Sequence, residues 1–368
     1  MAPQQSHELY VHKNPVKEMD LDVDSPNATF KIRSTDLPAL KDGQVLVKNL
    51  MFSNDPSQRA WIQKDIPAES MYVAPIRQGQ AMSTLALSQV VESNNKGFSA
   101  GDLVRCSTSW SDYAVVDQQS LFDKIPENSG FSLDSYLDIL GFTSLTAWFG
   151  VYDVAQLKAS DVLVVSGAAG ATGSVVVQIA KNIIGCKKVI GIAGGKDKCD
   201  FVKSIGADDC LDYKAPKLLE NMKQALGDDE CDVFFDGVGG RILDMMLLLT
   251  KQHGQIIACG SVAGYNNASA SSVNAWGLIT TRRLTVKGFI ILDYFAKFSE
   301  TTTKLIEAAK AGKLQNTAES KTVVDLSRDP DFLKRVPKTY NMLFNGEKKN
   351  GKLITKIAEP QSIAKFCR

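Results

Sequence analysis

Histidine is nearly absent. The 368 residues hold three, His7, His12 and His253. None stands at ligand spacing from a cysteine, and no Cys-x-x-Cys occurs. A catalytic zinc needs a Cys/His donor set and a structural zinc needs clustered cysteines, so no metal is expected. His253, beside an expected strand, reads as a solvent-exposed or packed imidazole. The one G-x-S-x-G, Gly97-Phe98-Ser99-Ala100-Gly101, lies in the turn between two expected strands of the β-rich region and opens no helix, so the common hydrolase elbow, which needs a strand-to-helix turn, is not expected. No run of ~18 consecutive apolar residues occurs, so no membrane-spanning helix is expected. Lys and Arg number 42 against 41 Asp and Glu, a net charge of +1 with no long basic block. Neither nucleic acid nor an anionic membrane surface is therefore an expected partner. Internal repeats and low-complexity segments are also missing.

What is present reads as a globular protein. Hydrophobic residues make up 44% and charged residues 23%, which is ordinary for a packed chain. A single core stops growing near ~250–300 residues, so the length implies two domains. The start, Met1-Ala2-Pro3-Gln4-Gln5-Ser6-His7, lacks the charged-then-apolar pattern of a secretory signal. The last residues, Lys365-Phe366-Cys367-Arg368, match no carboxyl-terminal address. The cysteines are Cys106, Cys186, Cys199, Cys210, Cys231, Cys259 and Cys367. An odd number at wide spacing, several in or beside apolar runs, reads as reduced thiols in a cytoplasmic protein.

The patterning changes along the chain. Residues 40–120 are β-rich, with strands expected at Val45-Leu46-Val47, Gln89-Val90-Val91 and Leu103-Val104-Arg105 between turn signals. From about residue 160 strands and helices alternate. Val162-Leu163-Val164-Val165 is an apolar strand. A helix follows with Val176, Ile179, Ala180 and Ile183 on one face, ended by Gly185. Val189-Ile190-Gly191-Ile192, Asp232-Val233-Phe234-Phe235 and Gln255-Ile256-Ile257-Ala258 are further strands. Helices are expected from about Asp197 to near Gly206 and over Ile242 to Leu249. Such alternation implies an α/β fold with a doubly wound parallel sheet. Near residue 315 it stops. Thr322-Val323-Val324, a helix over Phe332 to Phe344, and Lys352-Leu353-Ile354-Thr355 follow.

The glycines point to a cofactor. Ser166-Gly167-Ala168-Ala169-Gly170-Ala171-Thr172-Gly173 ends a strand and opens a helix. That context demands a tight turn and close approach of backbone to a pyrophosphate, with helix N–H groups offered to the anion. The spacing is G-x-x-G-x-x-G, weak evidence alone and strong in a strand–turn–helix setting. An NAD site places Asp or Glu at the end of the second strand. Here that strand runs into Ala193-Gly194-Gly195-Lys196-Asp197-Lys198, which is small and neutral, then basic. A lysine attracts a 2′-phosphate and a carboxylate repels it, so NADPH is the expected cofactor, touched by Lys196 or Lys198. Asp197 falls past the strand end, in the first helical turn. Phe235-Asp236-Gly237-Val238-Gly239-Gly240 and Ala258-Cys259-Gly260-Ser261 end later strands. They either line the cofactor groove or are ordinary strand-to-helix turns.

Taken together, the chain resembles the zinc-free medium-chain dehydrogenases/reductases, specifically the prostaglandin reductase, leukotriene hydroxydehydrogenase and alkenal double-bond reductase group. The segments that carry the resemblance span nearly the whole chain. They are Asn54-Asp55-Pro56-Ser57-Gln58-Arg59, Leu140-Gly141-Phe142-Thr143-Ser144-Leu145-Thr146-Ala147-Trp148-Phe149-Gly150, the glycine loop, Asp212-Tyr213-Lys214, Phe235 to Gly240, Gly288-Phe289-Ile290 and Gly351-Lys352. The resemblance implies a Rossmann domain over 133–314 and a chaperonin-10-like β-barrel domain built from 1–132 and 315–368. It implies NADPH-dependent reduction of the carbon–carbon double bond of α,β-unsaturated ketones or aldehydes. It places Lys198 and Tyr213 at the adenosine 2′-phosphate and Thr146, Phe289, Ile290 and Ile291 near the nicotinamide. Gly194, Cys259, Gly260 and Asn350 complete the implied cofactor set. Asp55, Ser57, Tyr72, Thr281 and Tyr294 are substrate-pocket candidates. Relatives pair through the sheet edge of the Rossmann domain, so a homodimer is implied as well.

The chain also departs from the group. Ser57 stands where many relatives carry tyrosine, and Thr281 matches a second tyrosine. Gly237 replaces an asparagine. In Gly346-Glu347-Lys348-Lys349-Asn350-Gly351-Lys352 the asparagine is displaced relative to the closing Gly-Lys. Substrate range is affected more than cofactor. Reduction builds charge on the substrate's carbonyl oxygen, which needs a hydrogen-bond donor. A side-chain hydroxyl, a backbone N–H or the cofactor's ribose hydroxyl could serve. Among the phenols Tyr72, Tyr265 and Tyr294, Tyr265 is the leading candidate because it follows the Ala258–Ser261 strand end; a packed loop aromatic is the other reading of it. Two alternatives stand beside the enone reductase: an NADPH quinone oxidoreductase on the same scaffold, and a non-catalytic NADPH-binding protein.

Overall fold

A computed structural model describes residues 3–126 and 129–361; Cys367 and the last residues lie outside this range. The chain divides into two compact units. One runs to Leu137 and resumes at Val323–Lys348 and from Leu353; the other comprises Asp138–Thr322 and Lys349–Lys352. Among the described residues no helix is long and apolar enough to cross a membrane.

The first unit is antiparallel. It contains β1 (Gln5–Val11), β2 (Phe30–Asp36), β3 (Val45–Asn54), β4 (Ser83–Ser93), β5 (Leu103–Ser109), β6 (Tyr113–Val116) and β7 (Leu121–Lys124). The short helix α1 (Gln58–Trp61) follows β3. β3 is ten residues long and almost wholly buried, because it pairs with β4 along most of its length and with β6 at its start. Leu9, Val11, Phe30, Phe52, Trp110 and Tyr340 belong to one buried cluster of this unit. Arg59 is fully buried there and donates to the Lys17 carbonyl at 2.5 Å and to Gln63 Oε1 at 2.7 Å.

The second unit is the doubly wound sheet. β8 (Val162–Ser166), β9 (Lys188–Ala193), β10 (Asp209–Asp212), β11 (Cys231–Asp236), β12 (Thr250–Ala258) and β13 (Thr285–Gly288) stand in the order β10-β9-β8-β11-β12-β13. Every pairing is parallel. β8 is buried at all five positions, as expected for a central strand covered on both faces. The connecting helices are α2 (Phe142–Phe149), α3 (Ala171–Gln178), α4 (Lys196–Ser204), α5 (Leu218–Leu226), α6 (Gly240–Leu249), α7 (Gly277–Arg282) and α8 (Phe298–Lys310). The strand order reverses between β8 and β11, and ligands of such sheets sit beyond the carboxyl ends of the strands at that switch point.

One helix differs from its expected form. α3 ends at Gln178, and Ile179–Ile184 continue in a wider π-type winding. Val176, Ile179 and Ala180 are buried, but the altered rotation leaves Ile183 half-exposed. Gly185 ends the segment at φ +77°. His253 is exposed, at φ +64°. The tail supplies β14 (Lys321–Asp325), α9 (Phe332–Asn345) and β15 (Lys352–Lys356); β15 pairs antiparallel with β3. The six described cysteines are free thiols, five of them buried.

Candidate functional site

The glycine loop joins β8 to α3 at the switch point. Gly167 turns the chain at φ +59°, and Gly170 N–H donates back to its carbonyl at 2.8 Å. Gly173 needs the missing side chain most. A Cβ there would stand 2.4 Å from the Gly167 carbonyl oxygen and 2.9 Å from the Ala168 Cα. The first turn of α3 closes with Ser174 N–H donating to the Gly170 carbonyl at 3.0 Å. The N–H groups of Ala171, Thr172 and Gly173 precede it and face out from the helix start. Ala169 is buried and its carbonyl accepts from Gly351 N–H at 2.9 Å. Gly351 has φ +58°, and a Cβ on it would lie 1.5 Å from the Ser320 carbonyl oxygen. Asn350 is thereby held next to the loop, its own carbonyl accepting from Thr322 Oγ1 at 3.3 Å.

A cationic corner lies past β9. Gly194 has no side chain because the Tyr213 ring covers it; a Cβ would meet Tyr213 Cε1 at 2.7 Å. Tyr213 N–H donates to the Ala193 carbonyl at 2.9 Å, while the residue stays 43% exposed. Lys214 Nζ stands 6.0 Å from the Tyr213 ring centroid. Asp212 accepts from the N–H groups of Gly195 and Lys214, both at 2.9 Å. Those bonds hold its carboxyl below the usual range. Lys196 is fully committed to Asp200, one helical turn on. Lys198 is different. It is half-buried, and burial together with the neighbouring Lys214 cation holds its ammonium below the usual lysine range. Two neighbouring ammonium groups, one of them near an aromatic ring, suit a dianion such as a ribose 2′-phosphate.

The ends of β11 and β12 complete the unit's site. Cys259 N–H and Gly260 N–H donate to the Asp236 carbonyl at 2.8 and 3.2 Å. Burial pushes the Cys259 thiol up to about 12, with Asp236 adding to the shift, so it is a neutral wall and not a nucleophile at neutral pH. Tyr265 follows a single turn over Val262–Gly264, half-buried, with its hydroxyl 3.6 Å from where a Gly260 Cβ would stand. Phe289 packs edge-on to Phe235 at 6.4 Å. Gly150 lies against both rings. Ile290 and Ile291 continue from Phe289 into the next turn. Thr146 donates its hydroxyl to the Phe142 carbonyl at 2.8 Å within α2. Around Gly237 a Cβ would meet nothing within 4 Å, which leaves open the space an asparagine would fill.

The substrate-pocket candidates are scattered. Thr281 is exposed on α7 and bonds to the Gly277 carbonyl at 3.4 Å. Tyr294 stacks on Phe149 with centroids 4.6 Å apart. Asp55, Ser57 and Tyr72 belong to the first unit. Asp55 Oδ2 accepts from Ser53 Oγ at 2.5 Å, and its N–H donates to Gln58 Oε1 at 2.8 Å. Ser57 precedes α1 and uses only its carbonyl, which accepts from Ala60 N–H at 2.9 Å. Tyr72 is 46% exposed, its hydroxyl accepting from Trp61 Nε1 at 3.4 Å.

The sequence reading missed Ser166 and Asp236. Ser166 Oγ donates to Asp236 Oδ1 at 2.6 Å, buried, across 70 residues. The only sequence signal was that each ends a strand of the sheet beside a glycine turn.

Two family models match this chain, one described as the N-terminal domain of oxidoreductase over residues 22–123, the other as zinc-binding dehydrogenase over 171–310. A protein of Saccharomyces cerevisiae, "Uncharacterized membrane protein YML131W", is 36% identical over 343 residues, 90% of this chain and 92% of the relative. The 2-alkenal reductase (NADP(+)-dependent) of Nicotiana tabacum is 32% identical over 319 residues, 85% of this chain and 90% of the relative. The crystal structure of CurA from Vibrio vulnificus in complex with NADPH superposes with a TM-score of 0.82 at 27% identity, covering 96% of this chain and 100% of that one. The chain belongs to the zinc-free medium-chain dehydrogenases/reductases, in the group of prostaglandin and alkenal reductases. The second family model's description mentions zinc, yet no group of three His, Cys, Asp or Glu among the described residues could hold a metal ion. The donor set does not fit zinc, and no step is assigned to it.

Proposed function

We propose that this protein is an NADP-dependent oxidoreductase that reduces the carbon–carbon double bond of α,β-unsaturated ketones or aldehydes with NADPH. The observation that carries the cofactor half is Lys198, a half-buried cation just past the end of β9 whose ammonium is held below the usual range by burial and by the neighbouring Lys214. The substrate half is supported by likeness to the alkenal reductase. When bound, the cofactor supplies hydride for the β-carbon of the substrate. The chain's residues do the rest. The N–H groups at the start of α3 hold the pyrophosphate. Lys198 and Tyr213 hold the 2′-phosphate, and the missing side chain at Gly194 lets the Tyr213 ring close over the end of β9. Phe235, Phe289 and the neutral Cys259 wall the reacting end, and a proton taken up from solvent at the α-carbon completes the saturated product. The Tyr265 hydroxyl donates to the substrate's carbonyl oxygen as negative charge grows there, the position where a fixed donor contributes most.

Tyr265→Phe tests that donor. Turnover at saturating NADPH should fall by about 10- to 100-fold, somewhat less than for a fully enclosed oxyanion donor, with the KM for NADPH unchanged. A raised KM for NADPH at normal turnover would make Tyr265 a packing residue.

We also propose a homodimer in the cytoplasm. β13 is the outer strand of its sheet, and Val286 on it is 45% exposed. An exposed edge strand offers its unpaired backbone groups to a second copy. The free thiols support a reducing compartment. Light scattering at micromolar concentration should give twice the 40.0 kDa chain mass; a monomeric mass would remove the dimer.

The overall reading is tested by NADPH consumption with an unsaturated carbonyl compound and identification of the product.

A further inference from the structure

Three strand ends meet at one carboxylate. Asp236 is 2% exposed and Ser166 3%. Asp236 Oδ1 accepts from Ser166 Oγ at 2.6 Å, from Val238 N–H at 2.9 Å and from Gly239 N–H at 3.1 Å. Oδ2 accepts from the same Gly239 N–H at 3.1 Å. Ser166 Oγ in turn accepts from Gly237 N–H at 2.9 Å. The backbone carbonyl of Asp236 takes Cys259 and Gly260, as described above, and the carbonyls of Gly237 and Val238 take Val262 N–H and Ala263 N–H at 3.2 and 3.1 Å. Val238 then returns to the glycine loop, its Cγ2 lying 3.6 Å from where a Gly167 Cβ would stand.

All partners of the side chain are donors, so the ionised form fits and an O–H on this carboxyl would face an O–H or N–H. Burial pushes the Asp236 carboxyl up, and the bonds from Ser166, Val238 and Gly239 oppose that. A buried acid is costly to keep unless it organises something. What surrounds it is the pyrophosphate turn on one side and the Cys259–Tyr265 segment on the other. Each of these bonds is to the chain itself.

We propose that Asp236, through Ser166 and the 237–239 backbone, is the positioning residue that fixes the glycine loop and the Cys259–Tyr265 segment for the dinucleotide. It touches neither cofactor nor substrate. The proposal rests on the dinucleotide part of the functional reading and not on the substrate class. Because the pyrophosphate is common to both cofactors, a loosened loop weakens NADPH and NADH by the same factor.

The test is direct titration of the full-length protein with NADPH and with NADH, without substrate, for wild type, Asp236→Asn and Ser166→Ala. Asp236→Asn should raise both dissociation constants by roughly tenfold, the scale of losing a hydrogen bond to a charged group. Ser166→Ala should raise both by about threefold to tenfold. Turnover at saturating NADPH should fall as well, because the Cys259–Tyr265 segment carries the proposed hydroxyl donor, so the two binding titrations are the deciding readout. If Asp236→Asn does not fold, Ser166→Ala decides alone. Unchanged affinities in a folded variant, even with a lowered melting temperature, would reduce the pair to a structural role and overturn the proposal. So would a loss confined to NADPH. A wild-type protein that binds neither dinucleotide would sink this inference and the functional reading together; one that binds both but reduces no enone would sink only the latter's substrate half.

Discussion

Gly173→Ala should weaken NADPH and NADH alike by about 10- to 100-fold, the range of a 1–3 kcal/mol overpacking penalty expressed in binding. The added methyl cannot be absorbed by a rotating side chain. It would meet the Gly167 carbonyl oxygen and the Ala168 Cα, both backbone. Either α3 withdraws from β8 or the 167–170 turn opens. Both move the N–H groups that face the pyrophosphate. Gly173 itself is buried, so the change adds no new contact with solvent that could compensate. Isothermal titration with each cofactor measures the effect, and circular dichroism establishes that the fold is retained. Normal affinity for both cofactors would mean that the loop is not the pyrophosphate seat.

Lys198→Ala should act on one cofactor only. Its dissociation constant for NADPH should rise by about 10- to 100-fold, the range for a charge-assisted bond to phosphate, while that for NADH changes by less than about twofold. Removing the ammonium also relieves Lys214 of a like charge, so part of the phosphate attraction survives in Lys214. The effect is therefore a loss of preference and not of binding. Lys196→Ala is the natural control, because Lys196 already pairs with Asp200 on the exposed face of α4. Equal losses of NADPH and NADH in Lys198→Ala would remove Lys198 from the phosphate site.

Much of the second unit was legible in the sequence. Buried parallel strands have no wet face, so β8 and the central residues of β9, β11 and β12 stand out as short apolar runs. The order of glycines at 167, 170 and 173 after such a run carries its own reason, confirmed in detail by the steric closeness of Gly173 to the turn. The pairing of Lys196 with Asp200 was also within reach. Lys196 and Asp200 are four apart on a helix and therefore neighbours.

Other features were not legible because they depend on contacts far apart in the chain. Ser166 and Asp236 bond across 70 residues, and each looks alone like an ordinary strand end. Gly351 reads as half of a short Gly-Lys motif. Its actual demand, a left-handed backbone wedged against the Ser320 carbonyl beside Ala169, exists only once the tail has returned. The π-type winding after Gln178 leaves the apolar spacing intact while changing which face it covers. The pocket candidate Thr281 came from the resemblance and Tyr72 from being a phenol in a loop, and the exposure of neither could be read from residue type.

The most direct test of the account is an assay in one experiment. The protein is given NADPH, and in parallel NADH, with a short alkenal, an aryl enone and a quinone; loss of nicotinamide absorbance is followed and products are identified by mass. The account predicts NADPH consumption with the alkenal or the enone, a saturated carbonyl product two hydrogens heavier, and markedly slower turnover with NADH. Consumption with the quinone alone, or binding of NADPH with no reduction of either unsaturated carbonyl compound, would contradict it.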